Sequence, residues 1–431
     1  MALLDHLYYL KDLARSKTTR AFSLVIVANF LVTVIGFVSS ILVFRTQDTA
    51  VIAILYPLVG LFLFLDQFSD FGLTVSYIRY ASADLNLGQE NFRRTTNATL
   101  QAHTALATIV VCAVIFCSSF ISKRLFQTEI YSTWVSLAAL CTWFYALSNF
   151  LQSILQAQGN FRRLAWARII PNLVKALALV VLALSGKKDL SYLFFAFLVS
   201  PSLSIFVMLP ALDLKIFRFE THSRAEFLRL FDFSKWIFFS AVAVSCISQL
   251  DLFMLRSLAP DQEVVRYLGG QRLASILPLL ISSLVTILLP KISSYRHKSE
   301  LRFYLKKVFL FSPIIFVLIL SFSFLAPWVI PLALGAKYQS SVGIFQAYCW
   351  VYALDTVVTL ASLVFYNLNL VSWFSGLNIV QLALNYGLNL LLIPRFGAMG
   401  ACFSAGLIRL AGIPMLLYLA SRESILTSST D

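Results

Sequence analysis

Two stripes of polar residues inside apolar stretches are the positions of this chain best suited to bind a ligand. The first stripe carries Arg168, Asn172 and Lys175, spaced i, i+4 and i+7, so the three share one helix face. No acidic residue lies in the same stretch, so this face predicts a water-filled cavity that receives an anionic cargo. Arg168 lies near the expected cytoplasmic end of the stretch and could instead extend to the membrane surface.

The second stripe consists of amides on one face of a later stretch: Asn378, Gln381, Asn385 and Asn389. Amides that faced hydrocarbon would be costly, so the stripe must face protein or water. Two interpretations stay open. Asn378, Gln381 and Asn385 bind the hydroxyl groups of a cargo, or the stripe forms hydrogen bonds between helices.

The acidic residues at membrane depth suggest ion coupling or ion pairing. Asp66 and Asp70 are spaced i, i+4 and share a face, so they could carry a proton, or pair with Arg79. Asp251 and Arg272 fall toward the outer ends of two successive spans, where either an ion pair or direct cargo contact is expected.

Enzyme motifs are missing from the sequence. There is no HExxH, GxSxG or Walker motif, and carboxylates do not cluster at metal-ligand spacing, so we expect neither catalysis nor a cofactor or metal. His103, at the start of an expected helix, is interpreted as an interface residue. The six cysteines show no CxxC pair and are interpreted as small core residues.

The elements that carry these residues are membrane spans. The chain is 59% hydrophobic and 13% charged, whereas soluble domains contain about 25% charged residues. Stretches of about 20 apolar residues match the thickness of a bilayer core and are too long for barrel strands. The fold class is therefore an all-α polytopic membrane protein with twelve transmembrane helices, over residues 21–44, 50–72, 98–121, 131–155, 165–185, 190–212, 235–256, 266–290, 308–330, 341–366, 372–393 and 397–420.

The net charge of +14 does not indicate nucleic-acid binding, because Lys and Arg concentrate in alternate connections. This asymmetry predicts that both termini lie in the cytoplasm. The first twenty residues lack the apolar core of a signal peptide, and their leucines recur at helical spacing beside basic residues, which indicates an amphipathic segment on the inner membrane surface.

The longest connection divides the spans into two sets of six. Segments 167–184 and 377–394 align with their polar positions in register, which is typical of the internal repeats of transporters. The expected organisation is a cytoplasmic N-terminal segment (1–20), a first six-helix bundle (21–212), a cytoplasmic linker (213–234), a second bundle (235–420) and a cytoplasmic tail (421–431).

Five segments, in order along the chain, resemble those of the Wzx-type polysaccharide and O-antigen flippases. That family belongs to the multidrug/oligosaccharidyl-lipid/polysaccharide exporter (MOP) superfamily. The segments are 70–80 (DFGLTVSYIRY), 249–255 (QLDLFML), 267–273 with 289–292 (YLGGQRL and LPKI), 334–338 (LGAKY) and 393–401 (IPRFGAMGA).

The resemblance implies two six-helix bundles around a central cavity with alternating access. It further implies that the chain moves an undecaprenyl-diphosphate-linked oligosaccharide, for O-antigen or another polysaccharide, across the bacterial inner membrane. A polysaccharide polymerase and a chain-length regulator are the expected protein partners. A diphosphate requires cationic and amide donors, which agrees with the two stripes.

A cation-coupled exporter of small molecules from the same superfamily is the main alternative. Such a protein would favour an acidic residue in the first span, and residues 21–44 contain none. A polymerase or ligase would need a sizeable outer loop, and every predicted outer loop is short.

Overall fold

The protein is described by a computed structural model that covers residues 17–212, 224–278, 298–364 and 371–410, with the single positions 281, 285, 288 and 292. Throughout these residues the regular secondary structure is helical, which confirms the predicted fold class.

In the first half of the chain the described residues form nine α-helices. They are α1 (Lys17–Thr46), α2 (Thr49–Asp70), α3 (Leu73–Leu87), α4 (Gln89–Phe116), α5 (Ser118–Phe126), α6 (Ser132–Ala157), α7 (Phe161–Ser185), α8 (Leu190–Phe194) and α9 (Ser204–Met208). A π-helical turn, Phe195–Val199, and a 3-10 turn, Ser200–Leu203, join α8 to α9.

The second half continues with seven α-helices and a 3-10 helix, Ala336–Ser341, in the described residues. The α-helices are α10 (Arg224–Leu258), α11 (Asp261–Ala274), α12 (Lys298–Ser323), α13 (Ala326–Leu334), α14 (Val342–Ser362), α15 (Val371–Phe396) and α16 (Ala398–Leu410).

Ten helical segments in the described part of the chain are long and apolar enough to cross a bilayer. Many of their large apolar side chains are exposed, such as Phe116 at 91% and Leu318 at 65%. In α12 only 6% of the most apolar window is buried within the protein, so lipid must cover the remainder. Predicted spans 266–290 and 397–420 extend outside the described residues, and the number twelve stays a prediction.

Four predicted spans differ from the helices that the structure contains, and one of them, 190–212, consists of α8, α9 and the turns around them. The span over 50–72 ends at Asp70, and the chain turns through left-handed conformations at Phe71 (φ 50°) and Gly72 (φ 71°) before α3 begins. The span over 98–121 is divided at Cys117, and the span over 308–330 is divided between α12 and α13. Proline in the first turn of α13 explains the last division, because proline lacks the N–H that a helix interior needs.

Backbone contacts divide the chain into two compact units. The first unit comprises Met1–Thr46 and Ile54–Val242, and the second comprises Gln47–Ala53 and Ala243–Asp431. The long helix α10 therefore contributes to both units. The predicted boundaries at 20, 212, 234 and 420 stay predictions, and residues 1–16, 213–223 and 411–431 lie outside the described residues.

Apolar packing in the first unit fixes the helices that carry its polar residues. A buried cluster joins Tyr77 of α3, Phe92 of α4, Phe150 and Ile154 of α6, and Leu164 of α7. Because these side chains are almost completely enclosed, α3, α4, α6 and α7 have little freedom to shift relative to one another.

Candidate functional site

A polar cavity of about 260 Å³ lies in the first unit, between α2, α3, α6 and α7. We call it the first-unit pocket. Its lining residues are Asp66, Gln67, Asp70, Thr74, Val75, Asn149, Gln152, Ser153, Gln156 and Arg168. Val75 is the one apolar residue among them, so the pocket offers hydrogen-bonding groups on nearly every side.

Asp66 and Asp70 both line this pocket, as their i, i+4 spacing on α2 leads one to expect. Asp66 is 8% exposed, and the side-chain nitrogen of Asn149 lies 3.3 and 3.4 Å from its two carboxylate oxygens. Asn149 is neutral, so it gives the Asp66 carboxyl group a hydrogen-bond donor but no opposite charge.

Asp70 has a different set of partners, because it stands at the end of α2. The backbone N–H of Thr74 donates to it at 3.1 Å, and the Thr74 hydroxyl donates as well. Its Oδ1 atom also lies 3.6 Å from Nε2 of His103 on α4. The interpretation of His103 as an interface residue is wrong. Helix α4 begins at Gln89, so His103 lies well inside it, is 1% exposed and stacks on Phe150 at 5.3 Å between ring centroids.

Arg168 contributes the positive charge of the pocket. Its Nε atom donates to Oε1 of Gln152 at 3.2 Å, and Nη1 donates to Oδ1 of Asn29 on α1 at 2.8 Å. Both acceptors are neutral amides, so they orient the guanidinium and leave its charge in place. Arg168 and the two aspartates therefore share one pocket, although their positions in sequence pointed to separate roles.

The other members of the first stripe do not line this pocket. Asn172 donates to the backbone oxygen of Arg168 at 2.9 Å, and Lys175 places its Nζ atom 5.5 Å from the centre of the Phe197 ring. Lys175 is half-buried and lies one helical turn beyond Asn172.

The amides of α6 could have been recognised from the sequence as part of the pocket. Asn149, Gln152 and Gln156 are spaced i, i+3 and i+7 along α6, which is the same pattern as the amide stripe of α15. Asn29 and the Thr74 hydroxyl carry no such signal, because their contribution depends on how α1 and α3 pack.

A second polar cluster lies in the second unit around Asp251 of α10. The side-chain nitrogen of Asn389 donates to Asp251 at 2.7 Å, and the Tyr267 hydroxyl lies 3.5 Å from the other carboxylate oxygen. Tyr348 and Gln271 extend the network through Tyr267, at 2.7 and 3.1 Å. These partners, and not Arg272, surround Asp251 in the described residues. Arg272 lies half-buried in the last turn of α11.

The amide stripe of α15 is buried within this unit. Asn385 and Asn389 are both 0% exposed and share a 2.6 Å hydrogen bond, while Gln381 donates to the backbone oxygen of Ile408 on α16 at 3.2 Å. Asn378 is 6% exposed. The bond between Asn385 and Asn389 lies within α15, whereas the bonds of Gln381 to α16 and of Asn389 to Asp251 of α10 join helices, as in one of the two interpretations that the sequence left open.

Two further arginines at membrane depth have contacts that spacing did not reveal. Arg409 of α16 pairs with Asp355 of α14 at 3.0 Å. The guanidinium of Arg79 lies 4.4 Å from the centre of the Phe233 ring of α10, a cation–π contact, while Asp70 is engaged elsewhere.

The described residues contain no group of three or more His, Cys, Asp or Glu that could hold a metal ion. All six cysteines are free thiols.

Comparison with known proteins places this geometry in a family. The model of a family described as "Polysaccharide biosynthesis protein" matches residues 19–296. No curated protein sequence matches the chain.

Several solved structures are similar to it. A lipid II flippase, MurJ, in an inward closed conformation has a TM-score of 0.73 at 15% identity, covering 92% of this chain and 87% of its own. An inward-facing multidrug resistance MATE family transporter has a TM-score of 0.71 at 13% identity, covering 93% and 96%. A MOP superfamily transporter from Pyrococcus furiosus, described as having a binding pocket of reverse polarity, has a TM-score of 0.64 at 13% identity, covering 95% of both chains.

These likenesses show that the chain shares its fold with a lipid II flippase and with MATE and MOP superfamily transporters, and the family match covers more than half of the sequence. The resemblance drawn from the five segments is confirmed. The chain is a multi-pass helical membrane protein that belongs to the polysaccharide biosynthesis protein family.

Proposed function

We propose that this chain is a flippase for an undecaprenyl-diphosphate-linked oligosaccharide, the repeat unit of an O-antigen (lipopolysaccharide) or exopolysaccharide. It moves the cargo from the cytoplasmic to the outer leaflet of the bacterial inner membrane by alternating access, without catalysis or a cofactor. The family match over residues 19–296, on a fold similar to that of a lipid II flippase, is the observation that carries this proposal.

The charged residues of the stripes support an anionic, polar cargo. Lys175 and Arg272 are both half-buried at membrane depth, where charge is costly unless it serves a ligand or a partner. We assign each of them, within its own unit, to anionic groups of the cargo, which need charge-assisted donors. We assign Arg168 and Asn172 to the polar groups of the glycan.

The buried amides of α15 have a structural role in this proposal. Gln381 joins α15 to α16, Asn389 donates the hydrogen bond to Asp251 of α10, and Asn385 accepts a bond from Asn389. Asn378 is buried on the same helix face. A buried carboxylate without such a donor would be strongly destabilising.

A second candidate is a cation-coupled exporter of small molecules. The two carboxylates of the first-unit pocket favour it, because a cation could bind between Asp66 and Asp70. The two functions are separable, since vesicles containing the exporter would move an organic cation and vesicles containing the flippase would move a lipid-linked glycan. In either case Asp66 and Asp70 are our candidates for ion coupling, while Asp251 and Arg79 have local structural partners.

The proposed setting follows from the charge pattern and the cargo. Both termini lie in the cytoplasm, and the polymerase and chain-length regulator that use the flipped repeat unit are the expected protein partners, with no nucleic acid involved.

Complementation of a flippase-deficient strain tests the role of the cations. Lys175→Ala should abolish surface glycan, and Lys175→Arg should retain part of it, because a cation remains at membrane depth. Lys187→Ala, at an exposed lysine between α7 and α8, serves as the matched control. Full complementation by Lys175→Ala, at wild-type protein levels in the membrane, would show that Lys175 is not needed to bind the cargo.

A further inference from the structure

We propose that the first-unit pocket is a binding subsite for one neutral monosaccharide ring of the cargo. The ring would form hydrogen bonds with Asp66, Asn149, Gln152 and Arg168. The inference rests on the proposed flippase function and names the part of the cargo that this pocket takes.

The mixture of groups in the pocket argues for hydroxyl groups and against phosphate. A sugar hydroxyl both donates and accepts hydrogen bonds, so a ring with several hydroxyls needs acceptors and donors around it. Asp66 supplies acceptors, Arg168 supplies donors, and the amides of Asn149 and Gln152 supply both. A phosphate group would need donors alone, and the carboxylate of Asp70 would repel it.

The arrangement of these side chains already prepares the pocket for such a ligand. Gln152 and Asn29 hold the Arg168 guanidinium by two hydrogen bonds, and Asn149 holds the Asp66 carboxylate by two more. Neutral amides thus hold the side chains of Arg168 and Asp66 in place. Because neither side chain is bonded to an oppositely charged group in the described part of the chain, each can bind a hydroxyl without first breaking an ion pair. Fixed polar groups of this kind discriminate strongly, since a ligand that cannot pair with them leaves them unsatisfied.

The size of the pocket limits what it can hold. Its volume of about 260 Å³ is slightly below the ~300–1,000 Å³ typical of pockets for drug-sized ligands, so it suits one ring and not an oligosaccharide. Gln156 is exposed and lines the pocket, so the opening lies on the side where further sugars could continue.

The contrast with α15 supports the same assignment. Asn385 and Asn389 are 0% exposed and bonded to each other, whereas Asn149 and Gln152 are only partly buried. An incoming hydroxyl can reach the amides of α6 without displacing a packed helix. The amides of α6 therefore have the same spacing as those of α15 and, unlike them, are accessible to a sugar.

Saturation-transfer NMR with the full-length protein in nanodiscs tests the subsite directly. The probes are methyl glucoside, N-acetylglucosamine and glucuronate at equal concentration. We expect signals from one or both neutral sugars and weaker signals from glucuronate, because the Asp70 carboxylate repels its charge. Loss of one buried hydrogen bond, about 1.4 kcal/mol, should weaken binding about tenfold in Gln152→Leu and in Asn149→Leu.

Gln158→Leu is the matched control, since Gln158 is an exposed amide at the end of the same helix and does not line the pocket. Gln152→Glu provides a second variant of nearly equal shape if Gln152→Leu folds poorly, and it should also weaken binding because it removes a donor. Absence of a signal from both neutral sugars, equal signals in all variants, or a stronger signal from glucuronate would overturn the assignment and leave a hydrated cavity.

These outcomes are separable from failure of the proposed function. Sugar binding that persists in a protein unable to flip lipid-linked glycan would contradict the flippase and leave the subsite intact. Flipping without any sugar signal would contradict the subsite alone.

Discussion

Nε2 of His103 lies 3.6 Å from Oδ1 of Asp70, and this contact joins the carboxyl end of α2 to the interior of α4. Asp70 is the last residue of its helix, immediately before the left-handed turn at Phe71 and Gly72. The contact therefore lies where α2 ends and α3 begins, beside the first-unit pocket.

A double-mutant cycle should reveal this coupling. Asp70→Asn and His103→Gln each remove one partner, so the coupling free energy should lie within about 0.5–3 kcal/mol, the range for residues in contact. Thermal unfolding of the purified protein in detergent measures it. Strictly additive effects of the two substitutions would show that the pair does not interact.

The turn at Gly72 should not tolerate a side chain. Its φ is +71°, and a Cβ atom there would lie 2.8 Å from the backbone oxygen of Ser234, so Gly72→Ala should cost on the order of 1–3 kcal/mol. Gly36→Ala is the control, because a Cβ at Gly36 has no neighbour within 4 Å and the helix favours alanine. Equal stability of the two variants would contradict the close approach of the turn to α10.

Asn389→Leu should destabilise the second unit and leave cargo selection unchanged. The substitution removes the 2.7 Å hydrogen bond to Asp251, which is 6% exposed, at a cost of about 1–3 kcal/mol. Export of a native and a truncated lipid-linked oligosaccharide should fall in parallel with the amount of folded protein. A change in the ratio between the export of the native oligosaccharide and that of the truncated one would instead mean that the amides of α15 bind sugar hydroxyls.

Labelling of single introduced cysteines in intact cells, in a background without the native cysteines, tests the topology. Cysteines at Arg94 and Lys298 should react only after the cells are permeabilised, because the charge pattern places these connections in the cytoplasm. Cysteines at Lys123 and Lys187 should react from outside. Reaction of the Arg94 position in intact cells would reverse the predicted orientation of the first bundle.

The sequence predicted the helical class and most of the spans, because apolar length is a local property that a bilayer requires directly. The sequence-based prediction was wrong where local polarity does not determine where a helix ends or whether a side chain is buried. The end of α2 depends on a backbone turn at Phe71 and Gly72, and the burial of His103 depends on the early start of α4 at Gln89.

The candidate site was predicted in part. Spacing correctly placed Asp66 and Asp70 on one face, because helical periodicity is fixed. Spacing could not reveal that Arg168 shares their pocket, that Asn29 orients it, or that Asn389 binds Asp251, since each contact joins helices that lie far apart in sequence. Contacts of this kind follow from packing between helices, which a single sequence does not encode locally.

Transport by the purified protein in vesicles tests the proposed function most directly. The vesicles would carry a fluorescent undecaprenyl-diphosphate-linked oligosaccharide in the outer leaflet, and an added membrane-impermeant glycosidase would measure the fraction still accessible. Full-length protein should equilibrate the lipid between leaflets, and Lys175→Ala should leave the accessible fraction close to that of protein-free vesicles. An accessible fraction that is the same with and without the wild-type protein would contradict the proposal that this chain flips a lipid-linked glycan.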